Sequence, residues 1–356
     1  MSGVVMSDAM NSTDDVVYRA RWVLPIRSPP IHNGFIRVVN QKTAEFGQWK
    51  SNAPASSRVI DLGDHAVLPR LVNAHSHLEF SDFKSVVGRP GNSLAQWTQQ
   101  VIAARGRVDD QQRQQAIASG VAESARSGVG LIGDIATTPS RYPVRSDIAI
   151  VSFADVLGWS AERADERFQM AVAHAQQCQS HPSNQFGVSP HAPYSTPDEL
   201  VSRCVNLAKQ TRSTLAMHVA ESPAERQLLE EGTGPFEESL RRAGFWREGL
   251  FPSACPTPII DLIHRLADAP RALLVHGNDL REPEIEAIAP HGNLSVVYCP
   301  RTHHYFDYDP HPVAKLLDAG IRVSLGTDSK ASNPDLSVWN EVRCLLRHRQ
   351  DISPQR

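Results

Sequence analysis

The stretch LPRLVNAHSHLEFSDF, residues 68–83, ends an apolar run and at once presents His75 and His77 with one residue between them. In a β-strand, residues two apart point to the same side. Two neutral imidazoles on one side of a strand end can coordinate one transition-metal ion together. An isolated His-x-His pair is more often two unrelated surface histidines, so the rest of the chain has to decide between these interpretations.

The character of the sequence changes at residue 68. Residues 1–15 are polar and acidic and are predicted to be disordered. Residues 16–67 have the pattern of short β-strands divided by Pro, Gly and Asn. Over residues 68–356, apolar runs of strand length alternate with amphipathic helical stretches, which predicts an α/β fold, a (β/α)8 TIM barrel. The preceding strands are predicted to be an incomplete β-sandwich portion, because no strands follow the barrel.

A (β/α)8 barrel carries its chemistry at the carboxyl ends of its strands. In this sequence the ligand-capable side chains fall at these predicted ends and are nearly absent from the strand interiors. A random scatter of 15 histidines would not be arranged in this way. In chain order the predicted strand ends present His75 and His77, Asp134, Asp155, His191, His218 with Glu221, His276, the segment YCPRTHHYF, and Asp328.

The composition excludes several classes of function. The chain has 356 residues, is 41% hydrophobic and carries a formal net charge of −3, so neither nucleic acid nor an anionic membrane is expected as a partner. Its five cysteines are scattered without a C-x-x-C pair, which indicates free thiols in a reducing compartment. No signal peptide or membrane span is predicted. A cytoplasmic enzyme with a small-molecule substrate is the expectation.

Four of the strand-end residues form a ligand set of three nitrogens and one oxygen: His75, His77, His218 and Asp328. This set suits one divalent ion, Zn²⁺ or Fe²⁺, and leaves room for a water. Metal coordination lowers the pKa of water to roughly 7. Glu221, three residues after His218, is predicted to shuttle protons beside that water, although it could simply offset the dipole of the following helix.

His276 is predicted to polarise the attacked carbon's substituent or to orient the hydroxide; a buried histidine without a function is the alternative. The predicted fourth strand, QFGVSPHAPY, contains no Lys that could bridge two ions, so one metal is favoured. The segment GVGLIG, residues 128–133, follows a helical pattern and leads into a strand. That order is the reverse of a dinucleotide-binding motif, so a tight turn is predicted there.

With these residues assembled, the chain resembles the amidohydrolase superfamily. It is most similar to the branch that holds cytosine and guanine deaminases, methylthioadenosine/S-adenosylhomocysteine deaminases, triazine chlorohydrolases and aminodeoxyfutalosine deaminases. HLEFS together with CPR and GTD favours the aminodeoxyfutalosine deaminases. The stretches that carry the resemblance are LVNAHSHLEFSD, SPHAPYS, MHVAES, LLVHGNDL, YCPRTHHYF and SLGTDSKASNPDLSVWNE.

The resemblance implies a role for each matching residue. His75, His77, His218 and Asp328 would bind the metal, and Asp328 would also accept a proton from the water. Glu221 would protonate a ring nitrogen of the substrate and later the departing amine, while His276 would hold the hydroxide or the developing oxyanion. The substrate would be contacted by His191, Glu79, Arg301 and Trp97.

The sequence therefore predicts a hydrolytic deaminase that releases ammonia from an aminated purine-like base or nucleoside, with aminodeoxyfutalosine as one candidate. The alternatives are a chlorohydrolase or another C–N or C–Cl hydrolase of the same superfamily, and a truncated, inactive metal-binding relative. Because residues 16–67 would leave open sheet edges, a homo-oligomer that covers them is also expected.

Overall fold

The computed structural model describes residues 15–50, 58–106, 108–137, 140–145, 147–179, 184–251 and 257–353. Apart from Asp15, the predicted disordered N-terminus lies outside these ranges. The chain forms two compact units, residues 1–70 and 71–356. The domain ranges predicted from the sequence, 1–15, 16–67 and 68–356, stay a prediction.

The first unit contains a five-stranded sheet, which confirms the predicted β-structure before the barrel. Its central strand β1 pairs antiparallel with β2 and parallel with β4 and β5, and β2 pairs antiparallel with β3. Every third residue of β1 is buried at Val17, Ala20 and Val23. The strands are β1 (Asp15–Val23), β2 (Ile31–Val39), β3 (Lys42–Gln48), β4 (Arg58–Asp61) and β5 (Ala66–Val67).

The second unit is built on eight parallel strands in sequential order, which confirms the predicted (β/α)8 barrel. The strands are short and apolar because helices cover their outer faces and side chains fill the inside. They are β6 (Leu71–Ser76), β7 (Val129–Ala136), β8 (Ala149–Val156), β9 (Asn184–Pro190), β10 (Thr214–Val219), β11 (Ala272–His276), β12 (Leu294–Tyr298) and β13 (Arg322–Leu325).

Helices follow or separate these strands along the chain. A 3₁₀ turn, Leu78–Phe80, comes directly after β6. None of the helices in the described ranges combines the length and the apolar character that a bilayer crossing requires. The α-helices are α1 (Leu94–Arg105), α2 (Asp110–Arg126), α3 (Ala161–Gln179), α4 (Asp198–Thr211), α5 (Pro223–Glu231), α6 (Pro235–Arg242), α7 (Pro258–Ala267), α8 (Glu282–Ile288), α9 (Pro300–Phe306), α10 (Val313–Asp318) and α11 (Val338–His348).

The inside of the barrel is filled by one layer of apolar side chains drawn from many strands: Ile135, Phe153, Ala216, Val275, Val297 and Cys299. Gly187 on β9 makes room for the ring of Phe153, because a Cβ at Gly187 would lie 2.4 Å from that ring. At the predicted glycine-rich turn, Gly128 has φ +87° between α2 and β7, so the turn interpretation is confirmed.

The barrel closes between its first and last strands. Ser76 forms an isolated parallel bridge with Asp328. Beside it, the Asn73 amide donates to Thr327 Oγ at 2.8 Å and accepts the Thr327 backbone N–H at 3.0 Å. Asn73 is completely buried. This closure brings the segment after β13 against the end of β6, where the first two histidines stand.

Candidate metal and catalytic site

The strand ends bring five of the predicted site residues into one buried cluster. The ring centroid of His75 lies 4.9 Å from that of His77, 5.0 Å from that of His218 and 5.5 Å from that of His276. Asp328 Oδ1 lies 3.5 Å from His75 Nε2 and 3.6 Å from His77 Nε2. Residues that are far apart in the sequence therefore converge at the carboxyl end of the barrel.

Two overlapping groups in this cluster could hold a metal ion. His75, His218 and His276 form one group, and His75, His77 and Asp328 form the other; within each, the ligand atoms lie within 4.8 Å of one another. Both ring nitrogens of His75 are buried and have no hydrogen-bond partner, and such polar atoms are rare without a ligand. Imidazole and carboxylate donors of this kind fit a divalent transition metal.

The protonation state of the imidazoles supports the same interpretation. Burial lowers the pKa of His75, His77 and His276 well below the usual range, and it also lowers the pKa of His218. Neutral imidazoles are the form that coordinates metals. The ring of His218 is oriented by its Nδ1, which donates to the carbonyl oxygen of His191 at 2.7 Å and leaves Nε2 for a ligand.

Asp328 is fixed from two directions. Its backbone N–H donates to the His75 carbonyl at 3.1 Å. The Ser332 hydroxyl donates to its Oδ2 at 2.9 Å, while Oδ1 faces the histidines. Asp328 has φ +54° and His276 has φ +72°, both in the left-handed region that residues other than glycine rarely adopt. Such strain clusters at functional sites, where the surrounding structure holds it.

Glu221 lies at the edge of the histidine cluster. Its Oε1 is 3.4 Å from His276 Nε2, and the side chain is buried. Burial raises the pKa of Glu221 well above the usual range, and the nearby charge of Asp328 adds to this effect. Helix α5 begins two residues later at Pro223 with Ser222 as its N-cap, so Glu221 stands outside the first helical turn. A buried acid that stays protonated at neutral pH can donate a proton.

Sequence reasoning missed the two residues that hold the Glu221 backbone. Glu225 accepts the N–H of Ala220 at 2.8 Å and the N–H of Glu221 at 3.2 Å. The Asn278 amide donates to the carbonyl of Glu221 at 2.9 Å. The S-x-x-E pattern from Ser222 to Glu225 is a sequence signal for a helix start, but it does not reveal that this carboxylate reaches back past the cap.

The predicted substrate-contacting residues are distributed around this cluster. The His191 ring lies 4.9 Å from the His218 ring and bonds Ser195 Oγ through Nδ1. Glu79 accepts from Arg105 at 2.5 Å and from the Thr137 hydroxyl.

The other two predicted substrate-contacting residues, Trp97 and Arg301, contact different side chains. Trp97 packs edge-to-face on Phe306 with centroids 5.3 Å apart, and its Nε1 is buried without a partner. Arg301 is engaged by Glu341 at 2.8 Å and by Asp335 at 2.7 Å, so these carboxylates account for its charge. The substrate-contacting roles of His191, Glu79, Trp97 and Arg301 stay predictions.

Two curated proteins with similar sequences are deaminases. The chain is 30% identical over 289 residues to the aminodeoxyfutalosine deaminase of Deinococcus radiodurans, covering 78% of this chain and 66% of that protein. It is 27% identical over 338 residues to the 5-methylthioadenosine/S-adenosylhomocysteine deaminase of Nitratidesulfovibrio vulgaris strain Hildenborough, covering 93% of this chain and 70% of that protein. The chain thus spans about two thirds of the length of these relatives.

Solved structures share the fold. Helicobacter pylori aminofutalosine deaminase in complex with methylthio-coformycin aligns with a TM-score of 0.78 at 23% identity, covering 94% of this chain and 82% of that one. A zinc complex of the atrazine chlorohydrolase of Arthrobacter aurescens aligns with a TM-score of 0.73 at 17% identity, covering 95% and 77%. At these identities the likeness establishes the barrel architecture.

The model of the amidohydrolase family matches residues 66–356, which is most of the chain. The predicted superfamily is therefore confirmed, and so is the predicted class, an amidohydrolase-type hydrolase of carbon–nitrogen bonds whose relatives are deaminases. The presence of a possible metal site is confirmed as well, while the identity of the ion stays a prediction. The chain belongs to the amidohydrolase family.

Proposed function

We propose that this protein is a metal-dependent hydrolytic deaminase that releases ammonia from an aminated purine-like base or nucleoside. The observation that carries the proposal is the buried carboxyl of Glu221, 3.4 Å from His276, at the edge of a cluster of neutral imidazoles. Replacing an amino group by oxygen requires both a nucleophile and an acid that protonates the leaving nitrogen. The deaminase relatives supply the substrate class.

The ligand assignment within the cluster is part of the proposal. We assign His75, His77, His218 and Asp328 as ligands of one divalent ion, Zn²⁺ or Fe²⁺, because this set contains both nitrogen and oxygen donors. When bound, such an ion supplies Lewis acidity that makes water a source of hydroxide near neutral pH. His276, 3.4 Å from Glu221, is left to orient the nucleophile and to stabilise charge that develops on the substrate.

Proton transfer falls to two carboxyl groups. Asp328, with Oδ2 fixed by Ser332 and Oδ1 toward the histidines, accepts the proton of the attacking water. Burial raises the pKa of Glu221 and so favours its protonated form, which can donate from Oε1 to a ring nitrogen. Ring protonation makes the amine-bearing carbon more electrophilic. Glu221, by then a carboxylate, takes the proton of the newly attached hydroxyl and passes it to the amine, which departs as ammonia when the carbon–nitrogen bond breaks and the carbonyl forms.

The proposal also covers the candidate substrates, the location and the partners of the enzyme. Aminodeoxyfutalosine and 5-methylthioadenosine, named in its relatives, are the first candidate substrates. A cytoplasmic location is proposed on the cysteine pattern, and all four cysteines in the described ranges are free. No nucleic acid or membrane partner is proposed, and a homo-oligomer stays an expectation from the sequence.

The test is ammonia release by the full chain loaded with Zn²⁺ or Fe²⁺, over a panel of aminopurines, adenine nucleosides and aminodeoxyfutalosine. Release from one member supports the proposal. Glu221→Gln should abolish this release while one metal ion stays bound per chain. Retained turnover in Glu221→Gln contradicts the proton-donor role.

The same panel includes chlorinated triazines, assayed by chloride release. Release of chloride without ammonia favours the chlorohydrolase alternative, in which the leaving group needs no protonation. If neither ammonia nor chloride is released although metal is bound, an inactive metal-binding relative is favoured. The raised pKa of Glu221 favours the amine over chloride.

A further inference from the structure

Two buried polar side chains on neighbouring barrel strands have no assigned task. Asp155 stands on β8 and Ser189 on β9, and the two residues are paired in the register of these strands. Ser189 is fully buried and Asp155 is 8% exposed. Ser189 Oγ and Asp155 Oδ1 have no hydrogen-bond partner. Buried polar atoms normally find one, so a missing ligand or water is indicated.

Both side chains point into the barrel. Along a strand, side chains alternate between the two faces. Phe153, two residues before Asp155, belongs to the apolar layer inside the barrel. Gly187, two residues before Ser189, faces the ring of that same Phe153. Asp155 and Ser189 therefore stand directly above the Phe153 layer, on the side of the carboxyl ends.

The pair shares the inner face of the barrel with the metal-site histidine of the next strand. Strands β9 and β10 pair with Val188 beside Leu215, so the next residues, Ser189 and Ala216, stand side by side and His218 lies two residues further toward the carboxyl ends. His218 also follows an interior residue, Ala216, by two positions. Three adjacent strands thus deliver Asp155, Ser189 and His218 to the inside of the barrel, with Asp155 and Ser189 one interior position below His218 in the strand register.

The chemistry of the pair is hydrogen-bond donation. Burial, assisted by the nearby charge of Glu79 and opposed by that of Arg167, raises the pKa of Asp155 to about 8. A protonated Asp155 and the Ser189 hydroxyl can each donate to an acceptor. Because the register places them one interior position below His218, they can be reached only by the part of a ligand that enters the barrel deepest.

We propose that Asp155 and Ser189 form a binding subsite for ring nitrogens of the substrate's heterocycle, at the edge away from the reacting carbon. The proposal rests on the proposed function, since it takes the deepest part of the substrate to be a nitrogen heterocycle. Aromatic ring nitrogens are acceptors and match two donors on one side of the site. The subsite would thereby select purine-like rings over rings that carry carbon at these positions.

The experiment measures KM and kcat with the purine nucleoside that gives the highest activity and with its 3-deaza and 7-deaza analogues, each lacking one ring nitrogen. The variants are Asp155→Ala, Ser189→Ala and the isosteric Asp155→Asn, which keeps an N–H donor. Ser152→Ala is the matched control, because Ser152 lies on the same strand and bonds Tyr142 and His174 instead. Metal content and thermal unfolding are recorded for each variant.

We expect Asp155→Ala to raise KM for the parent nucleoside by about tenfold, the effect of one lost hydrogen bond, with metal content unchanged. One deaza analogue should already show this loss in the wild-type enzyme and should be insensitive to the substitution. Asp155→Asn should stay close to wild type. Ser152→Ala should affect all three substrates alike.

An equal effect of Asp155→Ala on the parent and on both analogues overturns the subsite, as does no effect on KM. Calorimetric binding of the corresponding 6-oxopurine nucleoside separates this proposal from the proposed function. If binding of this nucleoside depends on Asp155 but no ammonia is released from any substrate, the subsite is supported and the deaminase function is contradicted. If ammonia is released but Asp155→Ala has the same effect on the parent nucleoside and on both analogues, only the subsite is contradicted.

Discussion

Glu225 accepts the backbone N–H of Glu221 at 3.2 Å, so one buried acid holds the peptide that carries another. Its second oxygen accepts the N–H of Ala220, whose φ of +51° turns the chain out of β10. Glu225 is fully buried. This carboxylate therefore determines where the proposed proton donor stands.

The first prediction concerns this link. Glu225→Gln places an NH₂ group against one of two N–H donors, so the Glu221 segment should shift. We expect kcat to fall by about 10²-fold, with KM changing less, because misplacing a catalytic group by about 1 Å costs that much. Glu231→Gln, an exposed position at the end of the same helix, should leave kcat unchanged. Equal kcat values for the two variants would contradict the positioning role.

The second prediction separates ligands from helpers within the histidine cluster. His77→Asn should lose bound metal after dialysis, because His77 is one of the four proposed ligands. His276→Asn should keep its metal and lose turnover, because His276 is assigned to the nucleophile and the developing charge. Metal analysis per chain and ammonia release are the two measurements. Metal loss confined to His276→Asn would instead favour the group of His75, His218 and His276.

The third prediction is a metal-dependent gain in stability. An ion that binds only the folded chain stabilises it by about 2.7 kcal/mol at a hundred times its Kd. Thermal unfolding of the chelated protein should therefore shift upward on addition of Zn²⁺. His75→Asn should abolish the shift. His304→Asn, which breaks the His304–His348 ring stack outside the site, should retain it, and a lost shift in this control would place the effect elsewhere.

The fourth prediction concerns the buried arginine that joins α5 to the segment after β11. Arg226 is 4% exposed and pairs with Glu284 at 2.7 Å, Asp279 at 2.5 Å and Glu230 at 2.9 Å. Arg226→Met should lower the free energy of unfolding by about 3–5 kcal/mol, because it leaves the buried Glu284 carboxylate without its ion-pair partner. Urea denaturation measures this. Breaking the exposed Lys315–Glu282 pair with Lys315→Met should change stability little.

The fifth prediction tests the packing under the site. Gly187→Ala would place a Cβ 2.4 Å from the Phe153 ring, so the barrel wall or the ring has to move. We expect a loss of about 1–3 kcal/mol in unfolding free energy, typical of overpacked cores. Gly292→Ala, with no atom within 4 Å of the added Cβ, is the control and should be near neutral. Similar losses for both substitutions would show that crowding at Phe153 is not the cause.

The barrel and the histidine cluster were predictable because their signals are local. Apolar runs bounded by turns mark the strands, and one rule about strand ends then gives a set of candidates that includes His75, His77, His218 and Asp328. The 30% identity to a deaminase indicates the family, but it does not reveal how side chains are arranged around these residues.

What the sequence did not reveal depends on contacts between distant side chains. Glu225 resembles an ordinary helix-start residue until its carboxylate is seen to bond backward. The ion pairs of Arg301 with Glu341 and Asp335 likewise have no signal in the sequence. Asp155 and Ser189 stand at predicted strand ends, yet only their register and their missing partners join them into a pair.

The reciprocal hydrogen bonds between Asn73 and Thr327 join positions 254 residues apart in sequence. His75 and Asp328 lie just beyond this pair, so the proposed ligand set draws on the first strand of the barrel and on the segment after the last one, together with His218 on β10. During synthesis on the ribosome, the chain cannot assemble the full set until almost all of the described barrel has emerged. Metal uptake by this protein should therefore be a late event, and a bound ion would report that the ring of strands has closed.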